Sequence, residues 1–189
     1  MAIPPNDASL QTPEAILDFW FVETPPKQWW SRSAPFDQLI RSRFARLHGV
    51  AAGTGLASWR VNASGRLAEI IVLDQFSRNI YRDQPQAFAC DEMALLLAQS
   101  AVAAGADLEL DPLRRAFLYL PYMHSESAQI HELAVLLYSA AGLEESLDSE
   151  LRHKQIIDRF GRYPHRNAVL NRRSSPEEIL FLQTPGSSF

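Results

Sequence analysis

Along most of the chain apolar side chains return every third or fourth position, and no stretch sustains the period-two alternation of a half-buried strand. That spacing predicts helices. Thr12-Pro13-Glu14 offers an N-cap, an N1 proline and an early acid ahead of ILDFWF. Phe36, Leu39, Ile40, Phe44, Leu47 and Ala51 mark a second helix, which AAGTG stops. Asn62 or Ser64 can cap a third, from about Arg66 to Tyr81. Pro85 opens a longer one, QAFACDEMALLLAQSAVAAG, closed by Gly105. Asp111-Pro112 starts LRRAFLYL, and Pro121 ends or kinks that helix because it has no N–H for the carbonyl one turn back. Ile130, Leu133, Ala134, Leu137 and Ala141 share a face up to Gly142. DSELRHKQIIDRF runs to Gly161 and Pro164, and Ser175-Pro176-Glu177-Glu178 caps a short EEILFL helix. Short connections favour antiparallel neighbours, so the pattern predicts stacked antiparallel α-hairpins in one all-α domain. The expected division is an N-terminal tail, 1–11, a helical domain, 12–183, and a C-terminal tail, 184–189.

One segment departs from simple amphipathic patterning. RLAEIIV is apolar on nearly every side, yet LDQFSRNIYR follows it directly. At 100° per residue, Asp74, Gln75, Arg78, Asn79 and Arg82 fall in a sector roughly 140° wide, opposite Leu73, Phe76 and Ile80. Ile71 points into the same sector one turn earlier. Either the helix leaves the core there and becomes solvated, or its polar sector faces an internal cleft in which Asp74 holds Arg78 for an anion.

Two further segments carry chemistry. YMHSES follows the Pro121 break, and His124 and Glu126 alternate so that both can face one space. A histidine with a carboxylate can move protons, although the pair can equally cap neighbouring helices. Farther on, His153, Ile156, Ile157 and Phe160 form an apolar stripe, which predicts a hydrogen-bonded core histidine. Beyond Gly161, Pro164 launches His165, Arg166 and Asn167 at the expected start of a short helix, where backbone N–H groups favour anions.

Charge sharpens this picture. The 189-residue chain carries a formal net charge of −4, yet residues 152–173 hold seven Lys/Arg against one acid, a local +6 against −10 elsewhere. Such asymmetry suits an anionic ligand or an acidic partner, unless Glu144, Glu145, Asp148, Glu150, Glu177 and Glu178 cancel it by internal pairing. The acidic total argues against a nucleic-acid-binding chain. A lone cysteine, Cys90, permits no internal disulfide, and together with the absence of a signal peptide or long apolar run this predicts a soluble cytoplasmic protein.

Several chemistries are not encoded. HELAV lacks the second histidine of a zinc-protease helix, and His124-Ser125-Glu126 has no cysteine pair to make a deaminase centre. No glycine-rich phosphate loop or G-x-S-x-G elbow occurs, and Cys90 is expected mid-helix beside Asp91 without a base. No metal site is expected from spacing, although His and Glu from distant segments could assemble one, and the cofactor, if any, is not encoded in a motif. Trp20, Trp29, Trp30 and Trp59 read as packing residues.

LDQFSRNIYR, the HSE of YMHSES and PHRN together resemble signature segments of the bacterial domain-of-unknown-function family 924, and the resemblance runs from Ile16 to Leu182. Family members commonly have proline where Ser77 stands and glycine where Asn171 stands. The resemblance implies a tetratricopeptide-like, right-handed α-α superhelix with a concave face, and it implies no activity. The expected site then has three walls. Asp74, Arg78, Asn79 and Arg82 form the first, His124 and Glu126 the second as the proton-transfer pair, and His165, Arg166 and Asn167 the third. Its expected occupant is a small carboxylate or phosphate; the alternative is an extended acidic peptide on a tetratricopeptide-like scaffold.

Overall fold

A computed structural model describes residues 11–188, so residues 1–10 of the expected N-terminal tail lie outside it. The described residues form nine α-helices and no strands. They are α1 Pro13–Asp18, α2 Pro26–Trp29, α3 Ala34–Ala52, α4 Ala63–Ile80, α5 Asp91–Ala103, α6 Pro112–Met123, α7 Ala128–Tyr138, α8 Glu144–Phe160 and α9 Pro176–Phe181.

The predicted caps at Thr12, Asn62, Asp111 and Ser175 form, and Ser33 adds one that was not expected. Thr12, Ser33, Asn62 and Asp111 each accept a backbone N–H in the first turn of α1, α3, α4 and α6. Ser175 and Glu178 form a reciprocal capping box on α9. Gly161 ends α8 at φ 67°, a conformation that costs a residue with a Cβ about 1 kcal/mol or more.

Three expectations about helix ends are narrowed or corrected. Of the two outcomes expected of Pro121, ending the helix is excluded: α6 continues through it to Met123, and His124 N donates to Leu120 O at 2.9 Å. The segment opened by Pro85 is two elements: a 3₁₀ turn, Pro85–Phe88, and then α5, with Cys90 at the junction rather than mid-helix. ILDFWF begins as α1 but widens into a π turn, Phe19–Glu23, where the Thr24 N–H and hydroxyl both donate to Phe19 O. That turn delivers Phe19 and Trp20 to the core, where they meet Phe44 and Phe76 with ring centroids 4.7–6.0 Å apart. Trp30 is the exception among the tryptophans: it is 67% exposed and lies flat on Phe117.

Helix α4 is the axis of the molecule, with α1, α3, α5 and α6 packed around it, while α7 and α8 extend the stack from α6. Its sides are buried almost throughout, which explains why RLAEIIV is apolar in every direction. The solvated reading of LDQFSRNIYR is therefore overturned, because Asp74, Gln75 and Asn79 are all buried. Gly65 lets the 3₁₀ segment Ala57–Val61 cross α4: a Cβ there would lie 1.9 Å from Trp59 O. We expect Gly65→Ala to destabilise the fold by about 1–3 kcal/mol or more through forced backbone displacement, read as a lower urea midpoint at unchanged slope.

The expected C-terminal tail folds back as far as it is described. Thr184 and Ser187 hydroxyls donate to Phe181 O and Leu182 O, and Ser187 is buried. Among the described residues no helix is long and apolar enough to cross a membrane.

Candidate functional site

Asp74 sits on the central helix where α4 faces both α5 and α6, and its side chain is only 1% exposed. A carboxylate there must be paired, because desolvating an isolated charge costs several kcal/mol. Three neighbours do this. His124 Nδ1 lies 2.8 Å from Oδ1, Arg78 Nη1 lies 3.1 Å from the same oxygen, and Gln75 Nε2 donates to Oδ2 at 2.6 Å. Burial alone would raise the Asp74 carboxyl, but Arg78 and His124 outweigh it and hold the group well below the usual carboxylate range.

Arg78 reaches beyond Asp74 to a residue given no role above. Its guanidinium grips Asp91 with two parallel bonds, Nη1 to Oδ1 at 3.0 Å and Nη2 to Oδ2 at 3.2 Å. Arg166 approaches the same carboxylate from the opposite end of the chain, Nη1 to Oδ2 at 3.2 Å, while its Nη2 donates to His124 O at 3.0 Å. The Arg166 guanidinium also lies 4.6 Å from the ring centres of both Phe88 and Tyr163. Its Nε is buried and has no hydrogen-bond acceptor among the described residues.

Three distant segments therefore converge through Asp74, Arg78, His124 and Arg166. Burial and then Arg78 push the His124 imidazole below its ordinary value, and Asp74 offsets this only in part. Burial and Arg78 likewise lower Arg166, against the pull of Asp91. The cluster keeps one wet edge: the side chains of Arg78, Asp91 and His124 are 19%, 18% and 15% exposed, against 7% for Arg166.

The other expected members go elsewhere. Asn79 and Arg82 turn away from Arg78 and hold Asp37 on α3, Asn79 Nδ2 to Oδ1 at 2.8 Å and Arg82 Nη2 to the same oxygen at 2.6 Å. An α-helical polar sector of that width spans two neighbours, and here α3 and α5 divide it. Glu126 is not the partner of His124: its carboxylate is occupied by Arg172 Nη2 at 2.8 Å and by the Tyr163 N–H at 2.7 Å. Burial would raise Glu126, but Arg172 and the Tyr163 amide bring it below its ordinary value. Asn167 braces that same arginine, accepting from Arg172 Nε at 3.0 Å. The segment after Pro164 is a single 3₁₀ turn, too short to act as an anion-binding helix start. His165 packs beside the Tyr163 ring, and burial followed by Arg166 lowers it to about 4.

Most of the basic run is paired internally, but of the acids expected to cancel it only Glu177 and Glu178 take part. Lys154, Arg159, Arg162, Arg166 and Arg172 all form ion pairs, with Glu132, Asp158, Glu177, Glu178, Asp91 and Glu126 as their partners. Surface concavities open away from the Asp74 cluster, one of about 390 Å³ beside Arg162 and Arg173 and one of about 220 Å³ beside Arg152 and His153. His153 is the core histidine its stripe predicts, with Nδ1 2.8 Å from Ser149 O. Cys90, expected to lack a base, has His48 Nε2 at 4.0 Å, but burial pushes its thiol up, away from the reactive thiolate. No group of three His, Cys, Asp or Glu among the described residues could hold a metal ion.

Asp91 was missed because an acid in the first turn of a helix is ordinary dipole compensation. Its only distinguishing signal was its place just beyond the Pro85 turn. Arg172 was visible only as one cation in a run of seven.

A family model described as "Bacterial protein of unknown function (DUF924)" matches residues 16–186. A solved structure titled "Structure of Protein of Unknown Function ATU0120 from Agrobacterium tumefaciens" is 35% identical, covering 90% of this chain and 96% of that one, with a TM-score of 0.86. Among curated proteins, none matches.

Proposed function

Because the chain belongs to DUF924, a family of bacterial proteins of unknown function, its role has to be read from its own side chains, and we propose that it binds a small carboxylate or phosphate between Arg78 and Arg166. The observation that carries this reading is that two largely buried guanidiniums converge on one partly exposed carboxylate, Asp91. Paired N–H bonds from arginine are the usual means of recognising such groups. Asp91 then models the ligand: it is the internal anion that a carboxylate or phosphate would displace at the wet edge. The unused Arg166 Nε supplies a further donor. Phe88 and Tyr163 hold the Arg166 plane in place, so little rotamer entropy is lost when the ligand arrives.

The acidic-peptide scaffold is less favoured. Arg159, Arg162 and Arg172 pair separately with Glu177, Glu178 and Glu126 rather than converging on one carboxylate as Arg78 and Arg166 do. The lone, buried Cys90 suits a reducing compartment, and we place the protein in the cytoplasm on that ground.

Thermal-shift titration with inorganic phosphate and with succinate tests the reading. A probe at ten times its Kd adds about 1.4 kcal/mol, or roughly 3–6 °C for a chain of this size. Asp91→Asn removes the competing charge, and the apparent Kd is expected to tighten about tenfold. Arg166→Ala is expected to abolish the shift. If neither wild type nor Asp91→Asn responds to either probe, the network serves the fold alone.

A further inference from the structure

The fold contains two histidine–carboxylate pairs, and comparing them separates structure from chemistry. In the first, His131 Nδ1 lies 2.6 Å from Glu150 Oε1, and both side chains are fully buried. Its other nitrogen is also engaged: Nε2 lies 2.9 Å from Ser125 O and 3.2 Å from the Tyr163 hydroxyl. No substrate can reach that imidazole.

The second pair is Asp74 and His124, and it is arranged in the opposite way. The carboxylate is the sealed member and the imidazole the open one, at 1% and 15% exposure. Asp74 Oδ1 accepts from Nδ1–H, which fixes the tautomer of the neutral ring and leaves a lone pair on Nε2. Nε2 has no hydrogen-bond partner among the described residues. The backbone on this side is anchored as well, because Arg166 Nη2 holds His124 O. An imidazole oriented by a buried carboxylate, with its far nitrogen at a wet edge beside two arginines, has the form of a general base.

We propose that His124 is the catalytic base of this protein, with Asp74 as its positioning residue, acting on a small phosphate- or carboxylate-bearing substrate held by Arg78 and Arg166. The substrate class rests on the anion-binding reading above. In the step, an O–H bond of the substrate, or of a water beside it, breaks. The proton passes to His124 Nε2, and the electron pair stays on the oxygen, which attacks the phosphorus or carbonyl carbon of the bound group; a new O–P or O–C bond forms as the bond from that atom to its leaving oxygen breaks. The imidazolium that forms is stabilised by the Asp74 carboxylate across the 2.8 Å contact and returns its proton to the departing oxygen. Burial of the ring keeps the resting imidazole neutral at neutral pH, ready to accept.

The test uses the full-length protein and needs no known substrate. In long-range ¹H–¹⁵N spectra of histidine-labelled wild type, the His124 signals, assigned by their loss in His124→Ala, are expected to show Nδ1 protonated and Nε2 bare. Diethyl pyrocarbonate is expected to acylate His124, and Asp74→Asn, which permits the opposite tautomer, to slow that reaction at least about tenfold. Inorganic phosphate is expected to protect His124 in wild type but not in Arg166→Ala. A wild-type spectrum with Nε2 protonated, or a His124 inert to the reagent, overturns the base assignment whether or not Asp74→Asn folds. Loss of phosphate protection alone, with tautomer and reactivity intact, overturns the anion reading and leaves the base in place.

Discussion

Asp74→Ala is expected to lower the melting temperature by roughly 6–20 °C, the largest single-site effect predicted for this fold. The carboxylate is buried on the central helix, and its removal leaves Arg78 and His124 facing each other with one charge uncompensated. Breaking a buried ion pair from one side costs about 3–5 kcal/mol, and each kcal/mol is worth about 2–4 °C at this chain length. Arg78 keeps Asp91 and so keeps part of its compensation, which places the expected value below the sum of its two partners. Asp91→Asn, at a wet edge and still able to accept hydrogen bonds, is expected to cost about 1 kcal/mol or less. Calorimetry of the two variants at pH 7.5 decides the matter. A cost below about 1 kcal/mol for Asp74→Ala would show that the cluster contributes nothing net to folding.

Which of these features could be read from the chain follows from the range of the physics. Caps, proline starts and glycine stops act over three or four residues, so Thr12, Asn62, Asp111 and Gly161 took the positions their neighbours dictate. Pro121 does not end its helix because a helix tolerates one lost hydrogen bond when its flanks are buried, as Leu120, Tyr122 and Met123 are. The meeting of Arg78, His124 and Arg166 could be suspected because each stood as a polar island among apolar residues. Their partners could not. Asp91, Asp37 and Arg172 are chosen by which helix lies next to which, and nothing within a few residues of them encodes that. The same limit explains Glu126: alternation with His124 is local, whereas its claim by Arg172, 46 residues away, is not.

Lowering the pH from 7.5 to 5.0 is expected to lower the melting temperature by about 8–16 °C, before most carboxylates protonate. The cause is a set of histidines buried or half-buried in their neutral form. His153 and His165 are lowered from 6.5 to about 3 and about 4, by burial first in both cases, and His48 and His124 are lowered in the same direction. The unfolded chain takes up these protons near pH 6.5 while the folded chain resists them, so unfolding binds protons and acid favours it. At pH 5.0 the gap is about 1.5 pH units, or about 2 kcal/mol each for His153 and His165. Above about pH 7.5 these groups contribute little slope. Glu150 acts with the opposite sign, since burial raises its carboxyl and a proton bound there favours the folded state as the pH falls. The lowered carboxyls of Asp74, Glu126 and Glu178 add their loss only below the ordinary carboxylate range. The drop is therefore a histidine effect with its onset near pH 6.5. The double variant His153→Gln, His165→Gln should remove most of the slope between pH 6.5 and 5.0, leaving what His48 and His124 contribute, whatever its absolute stability. Melting temperatures at constant ionic strength test both expectations. A wild-type curve that stays level to within about 2 °C over this interval would mean that these imidazoles are solvated in the folded protein.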